Sequence, residues 1–279
     1  MRTHPPSVGP VFTGVDRTVG ERAGRYWALT RSFVVKDVRS RYVGSLMGFF
    51  WTVVHPLLEL LTYTFVFTVI LRVRFEEHYT TGTNALFLFC GMVPWFSVSE
   101  SLTRSTLSIR ENSHLVKKVQ FPASVLVTSI TLSEAFNQGI RFILLFGAAL
   151  IFGQGLSWHL LIIVGVMALQ LLFMQGLSMF LATAQVFFKD TQHLLTPALM
   201  IWLFITPIFY PARYFPKEFT PLLMLNPLSH LVGIYRELIL NHRLPHMGSV
   251  VIFATCAMLF FTLGSYTFVR HSRRFPDLV

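Results

Sequence analysis

The sequence predicts an all-α integral membrane protein with six transmembrane helices and both termini in the cytoplasm. The first support is composition: 53% of the 279 residues are apolar and 13% charged, far from the balance of a soluble domain. The second is a succession of apolar stretches joined by short polar connections. A hydrocarbon layer of about 30 Å needs about 20 helical residues at about 1.5 Å each, and the stretches approach or exceed that length. The third is charge placement. Of 23 Lys and Arg residues, sixteen fall on the set of connections that includes both ends and six on the other set, with Arg141 inside an apolar run. Lysine and arginine accumulate on the cytoplasmic side, and an even number of spans agrees with termini on that side. Residues 1–25 read as a flexible tail and residues 26–279 as one membrane domain, with no room for a sizeable soluble one.

The first 25 residues are rich in Pro, Gly and Thr and contain no apolar run, so no cleavable signal peptide is expected. Tyr26, Leu29 and Phe33 then recur at helical spacing with Arg31, Lys36, Arg39 and Arg41 interleaved. That pattern predicts an amphipathic helix lying on the membrane surface, with Tyr26 and Trp27 suited to the headgroup layer. Met47 to Leu71 forms the first span and carries one formal charge, Glu59. Arg72 to Thr83 is a polar loop. Asn84 to Ser99 is free of charge and makes the second span, interrupted by Gly91 and Pro94, where a proline removes a backbone hydrogen bond. Arg104 to Gln120 reads as a basic connection holding a short helix.

Ala123 to Phe152 makes a long third helix interrupted by Glu134 and Arg141, and it must tilt or protrude. His159 to Val186 is the fourth span, Leu194 to Tyr210 the fifth and Gly248 to Val269 the sixth. Between spans five and six, five prolines mix with charges, and Leu228, Leu231, Val232, Tyr235, Leu238 and Ile239 follow a helical i, i+3, i+4, i+7 pattern. This helix is too short to span, so a re-entrant or interfacial placement is expected.

Motifs for chemistry are absent in an informative way. No glycine is followed by lysine, which excludes a phosphate-cradling Gly-x-x-x-x-Gly-Lys loop. No histidine or cysteine spacing suggests a metal site, and Cys90 and Cys256 lie within apolar runs as ordinary thiols. A net charge of +10 raises the possibility of nucleic acid, but the basic residues sit between apolar runs and form no continuous patch. No catalytic residue is assigned. Glu59, Glu134 and Arg141 stand out because an ionisable group near a helix centre costs about 2.5 to 3.5 kcal/mol on insertion scales. Glu134 and Arg141 are seven apart and share a face, but two turns is long for a direct pair. Charge pairing or a water-lined path suits three such groups better than a proton relay does.

Four stretches together resemble a family. They are Ser40-Arg41-Tyr42 through Ser45-Leu46-Met47-Gly48, Trp51 and Pro56-Leu57-Leu58; Gly91-Met92-Val93-Pro94-Trp95-Phe96; Lys117-Lys118-Val119-Gln120-Phe121-Pro122; and Phe188-Lys189-Asp190 with Pro197, Pro207-Ile208-Phe209-Tyr210-Pro211 and Leu225-Asn226-Pro227-Leu228. In order and spacing, from about Arg25 onward, they resemble the membrane subunit of type-2 ABC exporters, above all those for O-antigen, capsular or teichoic-acid polysaccharide. His55, Lys189 and Glu59 depart from the usual residues, which leaves the polymer open.

The resemblance implies a bacterial inner-membrane half-transporter that pairs with a second copy and with two separate ATPase subunits, which bind ATP and Mg. It implies a lipid-linked polysaccharide as cargo, and no cofactor in this chain. A drug or lipid exporter is the alternative within the family, and a membrane-embedded sugar transferase lies outside it. The ATPase contacts would be Arg31, Lys36, Arg39 and Arg41 on the first helix and Arg110, Glu111, Lys117 and Lys118 on the loop helix. Those loop residues read equally well as a solvated basic connection. A sugar chain slides best past aromatic faces. Tyr63, Phe67, Trp202, Phe209 and Tyr210 are the candidates, although each also reads as a belt or core aromatic.

Overall fold

The computed structural model describes residues 19–40, 50–73, 75, 80–118, 121–153, 155 and 157–279, and within them the chain is all helix and connection. Arg41 and the Gly44 to Gly48 stretch, Arg74, Glu76, Glu77 and Gln120 lie outside the described residues.

Helix α1 runs Val19–Ser40 and starts seven residues before the predicted Tyr26. Gly20 and Gly24 conceal its helical period in the sequence, while Glu21 in the first turn suits the positive helix end. Helix α2 is Trp51–Thr64 and continues as a π-helix over Phe65–Ile70. Its Pro56 and Leu60 are buried, and most of its remaining apolar side chains are exposed.

Helix α3, Thr81–Glu111, is the centre of the bundle, with 83% of its most apolar window buried against 11% for α2. Its length corrects the predicted boundary: the expected connection from Arg104 is helical as far as Glu111. Arg104 stays within the helix because its charge is paired with Glu134 and Asp37. Short α4, Ser113–Val116, follows. Helix α5 is Ser124–Ile151, and α6 is Ile162–Phe187, preceded by a 3₁₀ turn at Trp158–Leu161.

Helix α7 covers only Thr191–Ile205, 15 residues, or about 22 Å at about 1.5 Å each, so it is shorter than the predicted Leu194 to Tyr210 span. Proline disfavours the α region for the residue before it, and Thr206 is indeed extended at φ −77°, ψ 131°. The carbonyls released beyond it are not left bare. Arg236 donates to Pro207 O at 2.6 Å and to Ile208 O at 2.8 Å, as backbone at membrane depth requires. Short α8, Thr220–Leu225, leads to α9, Pro227–Ile239. The six apolar positions that predict α9 are all buried, against α3, α6 and α10. Asn226 ties this corner together: its Oδ1 caps Leu228 N at 3.0 Å and accepts from Trp202 Nε1 at 2.8 Å, and its Nδ2 donates to Thr206 Oγ1 at 2.9 Å.

Helix α10, Met247–His271, and short α11, Phe275–Leu278, close the chain. The α6 and α10 pair makes the most extensive helix contact, because two glycines let the backbones meet. A Cβ on Gly264 would sit 1.8 Å from Gly176 O, and one on Gly176 would sit 2.3 Å from Phe260 O. Five helical stretches are long and apolar enough to cross a membrane, with α7 as a shorter apolar helix.

Two apolar clusters divide the interior. The larger joins α3, α5, α6, α9 and α10. The smaller, around Ile109, Val116, Leu126, Val186, Phe268 and Phe275 with Phe33 against it, gathers α1, α4 and α11 at one end of the bundle.

Candidate functional site

Two of the three intramembrane charges singled out in the sequence, Glu59 and Arg141, line a cleft between α2, α3 and α5, and the third, Glu134, is buried behind it against Arg104. Glu100 and Arg104 lie one turn apart on α3, and Glu134, Asn137 and Arg141 lie on one face of α5. The two helices run antiparallel, so the pairs cross in register. Arg104 Nη1 meets Glu134 Oε1 at 2.6 Å, and Arg141 Nη2 meets Glu100 Oε1 at 2.8 Å. Arg104 also pairs with Asp37 of α1 through Nη2. One guanidinium therefore ties three helices. Planar guanidinium groups suit such forked pairing, and the opposite charges shorten the hydrogen bonds. Glu134 is fully buried, and Asn137 Nδ2 approaches its Oε2 at 3.4 Å. Arg141 lies 5.7 Å from the Phe96 ring and reaches Ser97 Oγ at 3.4 Å.

Glu134 and Arg141 do not pair with each other, as their two-turn separation suggested. Their partners Glu100, Arg104 and Asp37 are what sequence reasoning missed. A signal was present: a Glu and an Arg four apart on one helix match an Arg and a Glu seven apart on another. It was masked by ending the second span at Ser99.

Helix α2 closes the third side. Trp51, His55 and Glu59, each four residues on from the last, line the cleft with Glu100, Arg104, Asn137 and Arg141 around a volume of about 300 Å³. The Trp51 and His55 rings are 5.8 Å apart. Continuing at the same spacing, Tyr63 and Phe67 both stack on Phe209, at 5.0 and 4.9 Å. Three of the five predicted pathway aromatics thus form one stack, with Phe209 5% exposed. Trp202 stands apart, edge-on to Trp95 at 6.2 Å with its N–H held by Asn226. Tyr210 stacks on Phe215 and donates to Phe204 O at 2.8 Å.

Deeper in the bundle, Gln170 of α6 links three helices. It accepts from Gln138 Nε2 at 2.7 Å and Tyr235 OH at 2.9 Å, and donates to Pro94 O at 3.2 Å. Buried polar groups need such partners, and the sequence singled out neither Gln138 nor Gln170.

The residues predicted to meet an ATPase lie at the α1, α4 and α11 end. Arg31, Lys36, Arg39, Arg110, Glu111, Lys117 and Lys118 are exposed. Lys36 and Glu111 line one groove of about 340 Å³ between α1, α3 and α5, which also reaches Asp37 and Arg104. Among the described residues no cluster of His, Cys, Asp or Glu could hold a metal ion.

The ABC-2 type transporter family model matches residues 28–240, from within α1 to just past α9. The chain belongs to this family. It is 31% identical over 257 residues to the O-antigen export system permease RfbA of Myxococcus xanthus, covering 91% of this chain and 96% of that one. An O-antigen export permease RfbA of Klebsiella pneumoniae is 29% identical, covering 88% and 92%. The polysialic acid transport protein KpsM of Escherichia coli is 24% identical, covering 74% and 79%. This ABC-2 chain is a multi-pass permease of the inner membrane, and its relatives are transport proteins, not enzymes. The matched region contains the whole charged cleft and the Phe209 stack.

Proposed function

We propose that this permease is the membrane half of an ATP-driven exporter that carries a lipid-linked polysaccharide of O-antigen type across the inner membrane. The observation that carries the reading is similarity over about nine-tenths of the chain to permeases named for O-antigen export. A second copy of the chain and two ATPase subunits complete the exporter, and those subunits bind the ATP and Mg. Six crossings serve both copies, with α7 and the Thr206 to Pro211 stretch as the fifth and with the α1, α4 and α11 end in the cytoplasm. The sixteen-to-six division of Lys and Arg supports that sidedness. Helix α1 lies at the membrane surface.

Arg31, Lys36, Arg39, Arg41, Arg110, Glu111, Lys117 and Lys118 meet the ATPase; the groove shared by Lys36 and Glu111 supports this. Tyr63, Phe67, Trp202, Phe209 and Tyr210 face the polymer, with the Tyr63, Phe67 and Phe209 stack in its support.

The test is removal of the gene from its host. Surface polysaccharide should disappear while lipid-linked polymer accumulates inside, and the purified chain alone should neither bind nor hydrolyse ATP. Unchanged surface polysaccharide, with loss of drug or lipid efflux instead, overturns the reading in favour of the other exporter class.

A further inference from the structure

The cleft between α2, α3 and α5 contains more acceptors than its own ion pairs use. Arg104 answers Asp37 and Glu134, and Arg141 answers Glu100. Glu59 lines the same cleft and forms no ion pair or hydrogen bond among the described residues. Asn137, 3% exposed, also lines it, and its Oδ1 is buried without a hydrogen-bond partner among the described residues. An unsatisfied buried acceptor is costly and calls for an explanation.

The chemistry of an occupant follows from what is left over. An anion would meet guanidinium groups already taken by carboxylates and would face Glu59 besides. A hydrocarbon tail would leave Glu59 and Asn137 unanswered. A hydroxyl-rich, uncharged ring answers both, since its O–H groups donate to the Glu59 carboxylate and to Asn137 Oδ1. Its apolar face packs on the Trp51 indole, which is 38% exposed and beside His55. The χ2 torsion of asparagine is broad and soft, so the amide turns readily to meet a ligand. A volume of about 300 Å³ accommodates one or two sugar rings but not a folded polymer.

We propose that this cleft is a subsite for a neutral sugar residue, in which Glu59 and Asn137 accept hydroxyl hydrogen bonds and Trp51 provides the stacking face. The proposal rests on the polysaccharide-export reading. It adds a place where cargo is held, one helix turn along α2 from the Phe209 stack and continuous with it.

The experiment is photocrosslinking in the native host, with p-benzoylphenylalanine replacing His55 in the cleft, Phe67 beside the Phe209 stack, or Val69 on the exposed side of α2. The probe is the host's own lipid-linked polymer, compared with cells in which the first sugar transfer onto lipid is blocked. A sugar-positive adduct is expected at position 55 only when polymer is made, and none at 69. At equal membrane abundance Asn137→Leu should weaken it about fivefold, as for one lost hydrogen bond, and Glu59→Gln, which keeps an acceptor oxygen but gives up the charge that strengthens the bond, about two- to threefold. Should Asn137→Leu fail to reach the membrane, Glu59→Gln on the half-exposed α2 face carries the same comparison. Phospholipid adducts alone at 55, or a polymer adduct indifferent to both substitutions, overturn the subsite. Polymer adducts at 67 but not at 55 overturn the subsite and leave the export reading standing. No polymer adduct at either position, with surface polysaccharide intact after gene removal, overturns the export reading itself.

Discussion

Replacing Arg104 with methionine removes the side chain that ties α1, α3 and α5 while keeping much of its apolar stem. Glu134 then keeps its negative charge in a fully buried position but loses the guanidinium 2.6 Å away. Asp37, 19% exposed, loses the same partner but retains access to water. Breaking one side of a buried pair costs about 3 to 5 kcal/mol, chiefly because the remaining charge is poorly solvated. Arg104 is itself 32% exposed, so the lower end applies, about 3 kcal/mol. For a chain of this size that is a fall of about 6 °C in midpoint, read by thermal unfolding in one detergent at one scan rate. The companion change is Glu134→Gln, which neutralises the buried group. The double variant Arg104→Met with Glu134→Gln should recover at least half of the loss, because the uncompensated charge is gone. An Arg104→Met midpoint within about 1 °C of the parent, or a double variant no better than the single one, would refute the idea that this pair fastens α3 to α5.

Four further substitutions have defined outcomes. Gly264→Ala places a methyl 1.8 Å from Gly176 O and should cost about 1 to 3 kcal/mol or more by forcing α6 and α10 apart. Gly147→Ala, where the added carbon meets nothing within 4 Å, should leave the midpoint equal or higher through helix propensity. Arg236→Met strips donors from Phe87 O, Pro207 O and Ile208 O, at about 1 kcal/mol each, and Arg236→Lys should not restore them because an ammonium lacks the planar fork; purified yield and melting midpoint read both. Lys117→Glu or Arg110→Glu should reduce co-purification of the ATPase several-fold with an unchanged midpoint; full co-purification with both reversed would remove these residues from the contact surface.

By itself, the sequence determined that the chain is helical and membrane-embedded, where five of its long apolar helices lie, and that it carries no Gly-x-x-x-x-Gly-Lys loop. Those properties are local: hydropathy length, helical period and proline position act within about 20 residues and survive any packing arrangement. The α9 pattern is the clearest case, since each of its six apolar positions is buried as the spacing requires. Tertiary structure alone decided which charges answer one another. Arg104 looked like the end of a span because a charge near apolar sequence ordinarily marks the water boundary. It continues α3 because Asp37 and Glu134, 67 and 30 residues away, neutralise it. Likewise α7 stops short because Thr206 precedes a proline, and the carbonyls beyond it are tolerable only because Arg236 arrives from α9. Glu100, Asn137 and Gln170 carry no unusual pattern in one dimension. Their importance comes from burial and from partners on other helices, and both are properties of packing that no linear spacing records.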